Sequence, residues 1–206
     1  MKKISLIAVG LLAAMTVSAQ TSVVKEAEGL VKSKKYGEAL QVVQPALQNP
    51  ETSGTVLPWY LAGKANVGLW DEFSIMNATG QASPEQQKAG AHALIDAYDY
   101  FVKALPLDQL PDAKGKVKPK YTKEMMKAIG ENYHPYMNAG LILYNVQDYP
   151  GAYKAWDLYV NLPQNPNADQ KAFKADPDSV VGQIAYYQGL AAFFSNDYKN
   201  AIADVD

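Results

Sequence analysis

Residues 140–159, GLILYNVQDYPGAYKAWDLY, decide how this chain is read. Gly140, Leu141 and Leu143 stand at helical spacing, and the pattern breaks at Asn145-Val146-Gln147-Asp148. A second helical period runs through Tyr149, Ala152, Tyr153, Trp156 and Tyr159. Asp148 suits an N-cap, because its carboxylate can accept a bond from an amide that the first turn leaves unpaired. Pro150 fits the first turn for the same reason, having no amide to lose. Gly140 and Ala152 are small enough to let two helix axes approach, with Tyr149 and Trp156 filling the space around them. The stretch predicts two short helices and a tight turn. Such a hairpin leaves an apolar face uncovered and needs neighbours.

The neighbours are in the chain. Ala27-Glu28-Gly29-Leu30, followed by Lys34-Lys35-Tyr36-Gly37-Glu38-Ala39-Leu40 and then Val43 and Ala46, repeats the pattern, with Tyr36 and Ala39 standing where Tyr149 and Ala152 stand. Pro45 is expected to kink or shorten the second helix of that copy. Residues 49–54 read as a loop from their Asn-Pro and Ser-Gly pairs. Residues 57–69 form the next first helix, with Trp59, Ala62, Gly63 and Asn66 recurring. Residues 71–84 show no clean period and read as an insertion in the hairpin turn. Helical spacing returns over 85–105 in Ala93, Ala97, Tyr98, Phe101 and Ala104. Residues 106–119, rich in Lys, Pro and Asp, read as an exposed loop, 121–133 as a helix, and His134-Pro135 as a break. After a polar loop over 161–178, the segment 185–202 supplies the last copy: Gly189, Asp197, Tyr198 and Ala201 match Gly140, Asp148, Tyr149 and Ala152 one for one.

Composition narrows the function. The 206 residues are 48% hydrophobic and 19% charged, enough for one domain with a real core. A net charge of −2 argues against nucleic acid as the main partner. All 19 basic residues are Lys, so the planar fork used for bidentate phosphate or carboxylate recognition is missing. No Cys excludes disulfides, thiolate metal sites and thiol nucleophiles. His92 and His134 are the two imidazoles; the first lies in an Ala-rich helix and the second at a helix start, where packing and capping roles outweigh catalysis. No Gly-rich phosphate loop, His-Glu-x-x-His motif or Gly-x-Ser-x-Gly elbow occurs. The acidic segment 169–178 lacks the ligand alternation and central Gly of a calcium loop, and the Lys run 114–120 lacks interleaved aromatics for stacking on bases. No cofactor and no metal are expected, and the chain reads as non-enzymatic.

Residues 1–19 read as a signal peptide: Lys2 and Lys3 are followed by an apolar run over 4–17 and the small-residue site Val17-Ser18-Ala19. The run is too short to span a bilayer, so an exported, periplasmic or secreted product cleaved near Ala19 is expected, with no integral membrane span.

The 140–159 and 185–202 units resemble the tetratricopeptide repeat (TPR), and the units containing Ala27, Tyr36, Ala39 and Ala46, and Trp59, Gly63, Ala97, Phe101 and Ala104, resemble it more loosely. The leader and the Tyr- and Lys-rich style are similar to exported repeat proteins of the Bacteroides group. The resemblance implies an all-α α-solenoid of stacked antiparallel helical hairpins over 20–206, about four units with insertions. Gly140 and Gly189 lie 49 residues apart, against about 34 in that repeat, the excess falling in the 161–178 loop. In this family the first helix of each unit lines a concave face. Carried onto this chain, that places Tyr60, Lys64, Met137, Leu141, Tyr144, Asn145 and Tyr186 in a groove for a protein or peptide partner. The implied function is an interaction scaffold. A glycan- or peptidoglycan-binding accessory, suggested by the 14 Tyr, and a helical helper domain of a longer protein are the alternatives. Residues 197–206 enter the last second helix for only a turn or two, which reads as an unfinished unit.

Overall fold

Apolar side chains recurring every three or four residues wind most of the chain into helices, and the computed structural model describes residues 22–196. In chain order these form α1 (22–32), α2 (Tyr36–Gln48), α3 (Pro50–Ser53, a single turn), α4 (Val56–Ala78), α5 (Pro84–Asp108), α6 (Thr122–Glu131), α7 (Tyr133–Asn145), α8 (Tyr149–Asn161), a 3-10 turn (Leu162–Gln164) and α9 (Asp178–Phe194). Among the described residues there is no strand, and the one isolated bridge joins Pro111 to Val117. The fold is all-α, as expected. Packing follows chain order, α2 on α4, α4 on α5, α5 on α7, α7 on α8 and α8 on α9. A first apolar cluster joins Val24 and Ala27 of α1 to Val43 and Ala46 of α2 and Leu61 and Ala62 of α4. A second, larger one runs from Trp70 and Phe73 through Phe101, Met125, Tyr133 and Trp156 to Ala191.

The 140–159 hairpin forms as its spacing requires. Asp148 N–H donates to Leu143 O at 2.8 Å, Gln147 N–H to Tyr144 O at 3.0 Å, and Asp148 Oδ1 accepts from Gly151 N–H at 3.2 Å. Gln147 takes the left-handed conformation, φ 62°, that commonly ends a helix. The same turn recurs at Lys34 (φ 59°), where Lys35 N–H reaches back to Leu30 O, and Asn196 (φ 62°) closes α9 in the same conformation. Each of these residues stands two positions before a Tyr in the sequence, namely Tyr36, Tyr149 and Tyr198.

Close approach is achieved by putting a glycine under a ring. A Cβ added at Gly140 would stand 2.3 Å from Trp156 Nε1. The indole is 2% exposed, and its N–H donates to Met137 O at 3.1 Å. Gly63 beneath Phe101 and Gly68 beneath Tyr36 set the spacing of the earlier layers in the same way.

Four expectations need correcting. Residues 71–84 are not an insertion: α4 continues to Ala78, because Trp70 and Phe73, one turn apart, bury 6% and 4% exposed side chains in the core. Only 79–83 connects α4 to α5, which starts on a Ser83–Gln86 capping box followed by Pro84. Of the kink or shortening expected at Pro45, the shortening does not occur: α2 runs on to Gln48, with Val43, Ala46 and Leu47 on either side of the proline buried. The 49–54 loop contains the single turn α3, capped by Asn49 Oδ1. The break expected at His134-Pro135 falls at Asn132, and Pro135 lies in the first turn of α7, where its missing amide costs nothing.

The segment after α5 is organised by carboxylates. Asp108, buried at the end of α5, accepts from Lys120 N–H, Tyr121 N–H, Thr122 N–H and Thr122 Oγ1 at 2.6–3.1 Å, and so ties α5 to the start of α6. Asp112 Oδ1 accepts from the amides of Lys114 and Lys116, folding the Lys run back on itself. The 162–177 loop then packs on α6, with Asp169 N–H donating to Met126 O at 2.9 Å. Phe173 stacks on Tyr133, whose ring also stacks on Tyr159, both at 4.6 Å between centroids. The expected signal peptide and the last second helix lie outside the described residues.

Two outcomes follow. Gly140→Ala should lower stability by about 1–3 kcal/mol, since the indole cannot move without leaving its carbonyl. Gly29→Ala, with open space around it, should instead gain about 0.5–1 kcal/mol; urea denaturation of both variants checks the pair. Burial pushes the Asp108 carboxyl up, but its backbone and Thr122 hydrogen bonds outweigh that and hold it below the usual carboxylate range. Asp148, bonded by His92, Lys88 and Gly151 N–H, is lowered against burial in the same sense. A depressed folded pKa contributes stability that is present above the unfolded value, about 3.9, and lost as pH falls through the folded one. The urea midpoint should therefore drop between about pH 5 and about pH 2, and Asp108→Asn should flatten that drop while costing about 1–3 kcal/mol at pH 7.

Candidate functional site

The floor of an apolar trough between α7 and α9 is Trp156, which α8 presents because Asp148 fixes its start and Gly140 its distance from α7. α7 contributes Met137, Leu141 and Tyr144 at helical spacing, flanked by Asn138 and Asn145; α9 closes the far side with Gln183, Ile184 and Tyr187. Together they bound a cavity of about 380 Å³. The rings interlock, with Tyr144 at 5.6 Å and Tyr187 at 6.1 Å from Trp156. α9 is held in place by the buried Gln188, whose Nε2 donates to Asp157 Oδ1 at 3.2 Å. Leu141 is nonetheless 55% exposed and Tyr187 38%. Leu141 and Asn138 also line a second hollow of about 290 Å³, towards Trp70, Phe73, Ser74 and Asn77 of α4. Ser74 Oγ is buried with no hydrogen-bond partner among the described residues. The α7 ridge therefore has an apolar hollow on each side, edged by side-chain amides that can both donate and accept.

The seven groove residues expected from the sequence fall in two places. Met137, Leu141, Tyr144 and Asn145 come together in this trough. Tyr186 projects beside it, 58% exposed, its ring 5.8 Å from that of Tyr187. Tyr60 and Lys64 lie on α4 in a separate cavity of about 460 Å³ between α1, α4 and the start of α6. There they are engaged with Glu124 of α6: the Tyr60 hydroxyl donates to Oε2 and Lys64 Nζ to Oε1, each at 2.7 Å. Burial, reinforced by the Glu124 carboxylate, pushes the Tyr60 hydroxyl far above its ordinary value. Burial pushes the Glu124 carboxyl up, but Lys64 and Tyr60 outweigh it and hold the group low.

Sequence reasoning missed Tyr187, Gln183 and the α4 hollow. The first two stand four positions apart on one face of α9, beside the recognised Tyr186; the last was hidden by reading 71–84 as an insertion, although the Trp70–Phe73 pair signalled a continuing helix.

Both imidazoles face carboxylates. His92 Nε2 lies 2.7 Å from Asp148 Oδ2, which Lys88 Nζ also reaches at 3.0 Å. His134 Nε2 lies 3.1 Å from Asp176 Oδ2, the oxygen that also accepts from the Tyr159 hydroxyl at 2.7 Å. These pairs join α5 to the start of α8, and α7 to the 162–177 loop. Among the described residues no three His, Asp or Glu side chains group as a metal site, and no helix is long and apolar enough to cross a membrane.

No family model matches this sequence, and among curated proteins there is no significant match.

Proposed function

We propose that this chain is a non-enzymatic, exported interaction scaffold of the tetratricopeptide type, which binds a partner peptide or protein along the face shared by α4, α7 and α9. The observation that carries this reading is the α7 ridge: an exposed Leu141 between two apolar hollows, edged by Asn138, Asn145 and Gln183. Apolar hollows accept side chains, and a row of carboxamides can pair with the main chain between them. The turn repeated at Lys34, Gln147 and Asn196 supports a repeat architecture behind that face. The apolar run after Lys2 and Lys3 supports export.

A second reading has its own observation. Tyr186 and Tyr187 expose their rings beside the Gln183 amide, and an exposed ring next to an amide is also suited to a glycan.

A displayed random-peptide library panned on the chain separates the two. Peptides should be enriched, and Leu141→Lys should weaken them about tenfold or more, the loss expected at a central contact. Leu110→Lys, at an exposed site on the 109–121 loop, should leave them unchanged. Failure to enrich any peptide, with retention on an oligosaccharide array that Tyr187→Ala abolishes, would replace the scaffold by the glycan-binding reading.

A further inference from the structure

The cavity between α1 and α4 is reached by side chains from an inserted segment. α6 packs on α5 and α7 rather than on α4, yet its first turn sends two groups across to α4. The Tyr121 ring stacks on Tyr60 with centroids 4.3 Å apart, and Glu124, three residues on, accepts hydrogen bonds from Tyr60 and Lys64. What α4 holds is thus a defined chemical pattern, an aromatic ring and a carboxylate one helical turn apart.

The ion pair in this contact is open to water. The Lys64 and Glu124 side chains are 34% and 49% exposed, so their ion pair competes with water at little cost. α6 does not depend on it, because Met125 and Ile129 are fully buried and Asp108 caps the helix start independently. Beside the contact some 460 Å³ remains, bounded on the α1 side by Val31, Lys32 and Lys34, and a hollow of that size accommodates part of a peptide. With Glu124 withdrawn, Lys32, Lys34, Lys64 and Lys120 would face only Glu28 and Asp71, leaving the lining positive.

We infer that this cavity is a binding site for a helical peptide carrying an aromatic residue and, one turn later, a carboxylate, and that Tyr121 and Glu124 are its built-in occupant. The occupant is tethered, so its effective concentration is high and it masks the site in the resting chain. An external segment binds only to the fraction in which the Tyr121 and Glu124 side chains have rotated away from α4, and its apparent affinity is reduced by that fraction. This site shares no lining residue with the trough between α7 and α9, and its test does not depend on the outcome there.

The probe is a fluorescent, acetylated and amidated peptide copying residues 120–131, titrated by anisotropy against the full chain and its variants. Tyr121→Ala with Glu124→Gln should bind the probe about tenfold or more tightly than the parent, as expected when a tethered competitor is removed. Adding Tyr60→Phe and Lys64→Met to that variant should abolish the gain, and so should a probe with Gln in place of the Glu that copies Glu124. Circular dichroism confirms the fold of each variant; Glu124→Gln alone, which removes charge without bulk, should give the same direction of change if the double variant is perturbed. Equal binding to parent and emptied variants, binding indifferent to Tyr60 and Lys64, or no binding at all overturns the inference.

Discussion

The indole of Trp156 occupies the space where a side chain at position 140 would stand, and the spacing of α7 and α8 follows from that contact. The ring is buried and its N–H is satisfied by Met137 O, so it is fixed in both position and orientation. Once fixed, it serves two faces. It fills the interior between the hairpin helices, and it forms the floor on which Tyr144, Tyr187 and Ile184 are arranged. Gly63 beneath Phe101 and Gly68 beneath Tyr36 apply the same constraint one and two layers earlier. A stack built on glycine–ring contacts tolerates little change of volume, because neither partner can yield without opening a void or a clash.

The irregular parts of the chain complete each other. α6 interrupts the alternation of hairpins before α7, and the long 162–177 connection interrupts it after α8; the connection lies across α6, with the Asp169 carbonyl close over Gly130 and Phe173 on Tyr133. Tyr133 joins these pieces, stacked between Tyr159 and Phe173 while its hydroxyl accepts from Asp176 N–H. The long connection between α8 and α9 is therefore the length of chain that covers α6.

Aspartates make most of the long joins. Asp108 receives the amides that begin α6, Asp148 receives Gly151 N–H together with His92 and Lys88, and Asp176 receives Tyr159 and His134. In each case one carboxylate joins its own segment to another that is distant in sequence, and hydrogen bonds to an ionised acceptor are stronger than neutral ones. The charged residues of this protein thus hold connections as much as they face water.

Local information was enough for the hairpin elements. The Asp148 cap, the turn before it and the buried stripe of α5 all depend on residues within one or two turns of each other, and the 3.6-residue period exposes them directly. Met137, Leu141, Tyr144 and Asn145, which the tetratricopeptide resemblance had put towards a groove, line one hollow together on α7. What the sequence could not contain was the choice of partner for each face. That Tyr60 and Lys64 meet Glu124, 64 and 60 residues further along the chain, is decided by α6 folding back towards α4. That α4 runs on past Asp71 is decided by the core that buries Trp70 and Phe73, and that Tyr187 joins the trough is decided by the angle at which Gln188 and Asp157 hold α9. Periodicity is a property of neighbours along the chain, whereas a cavity is a property of surfaces brought together by packing, and only the tertiary structure sets which surfaces meet.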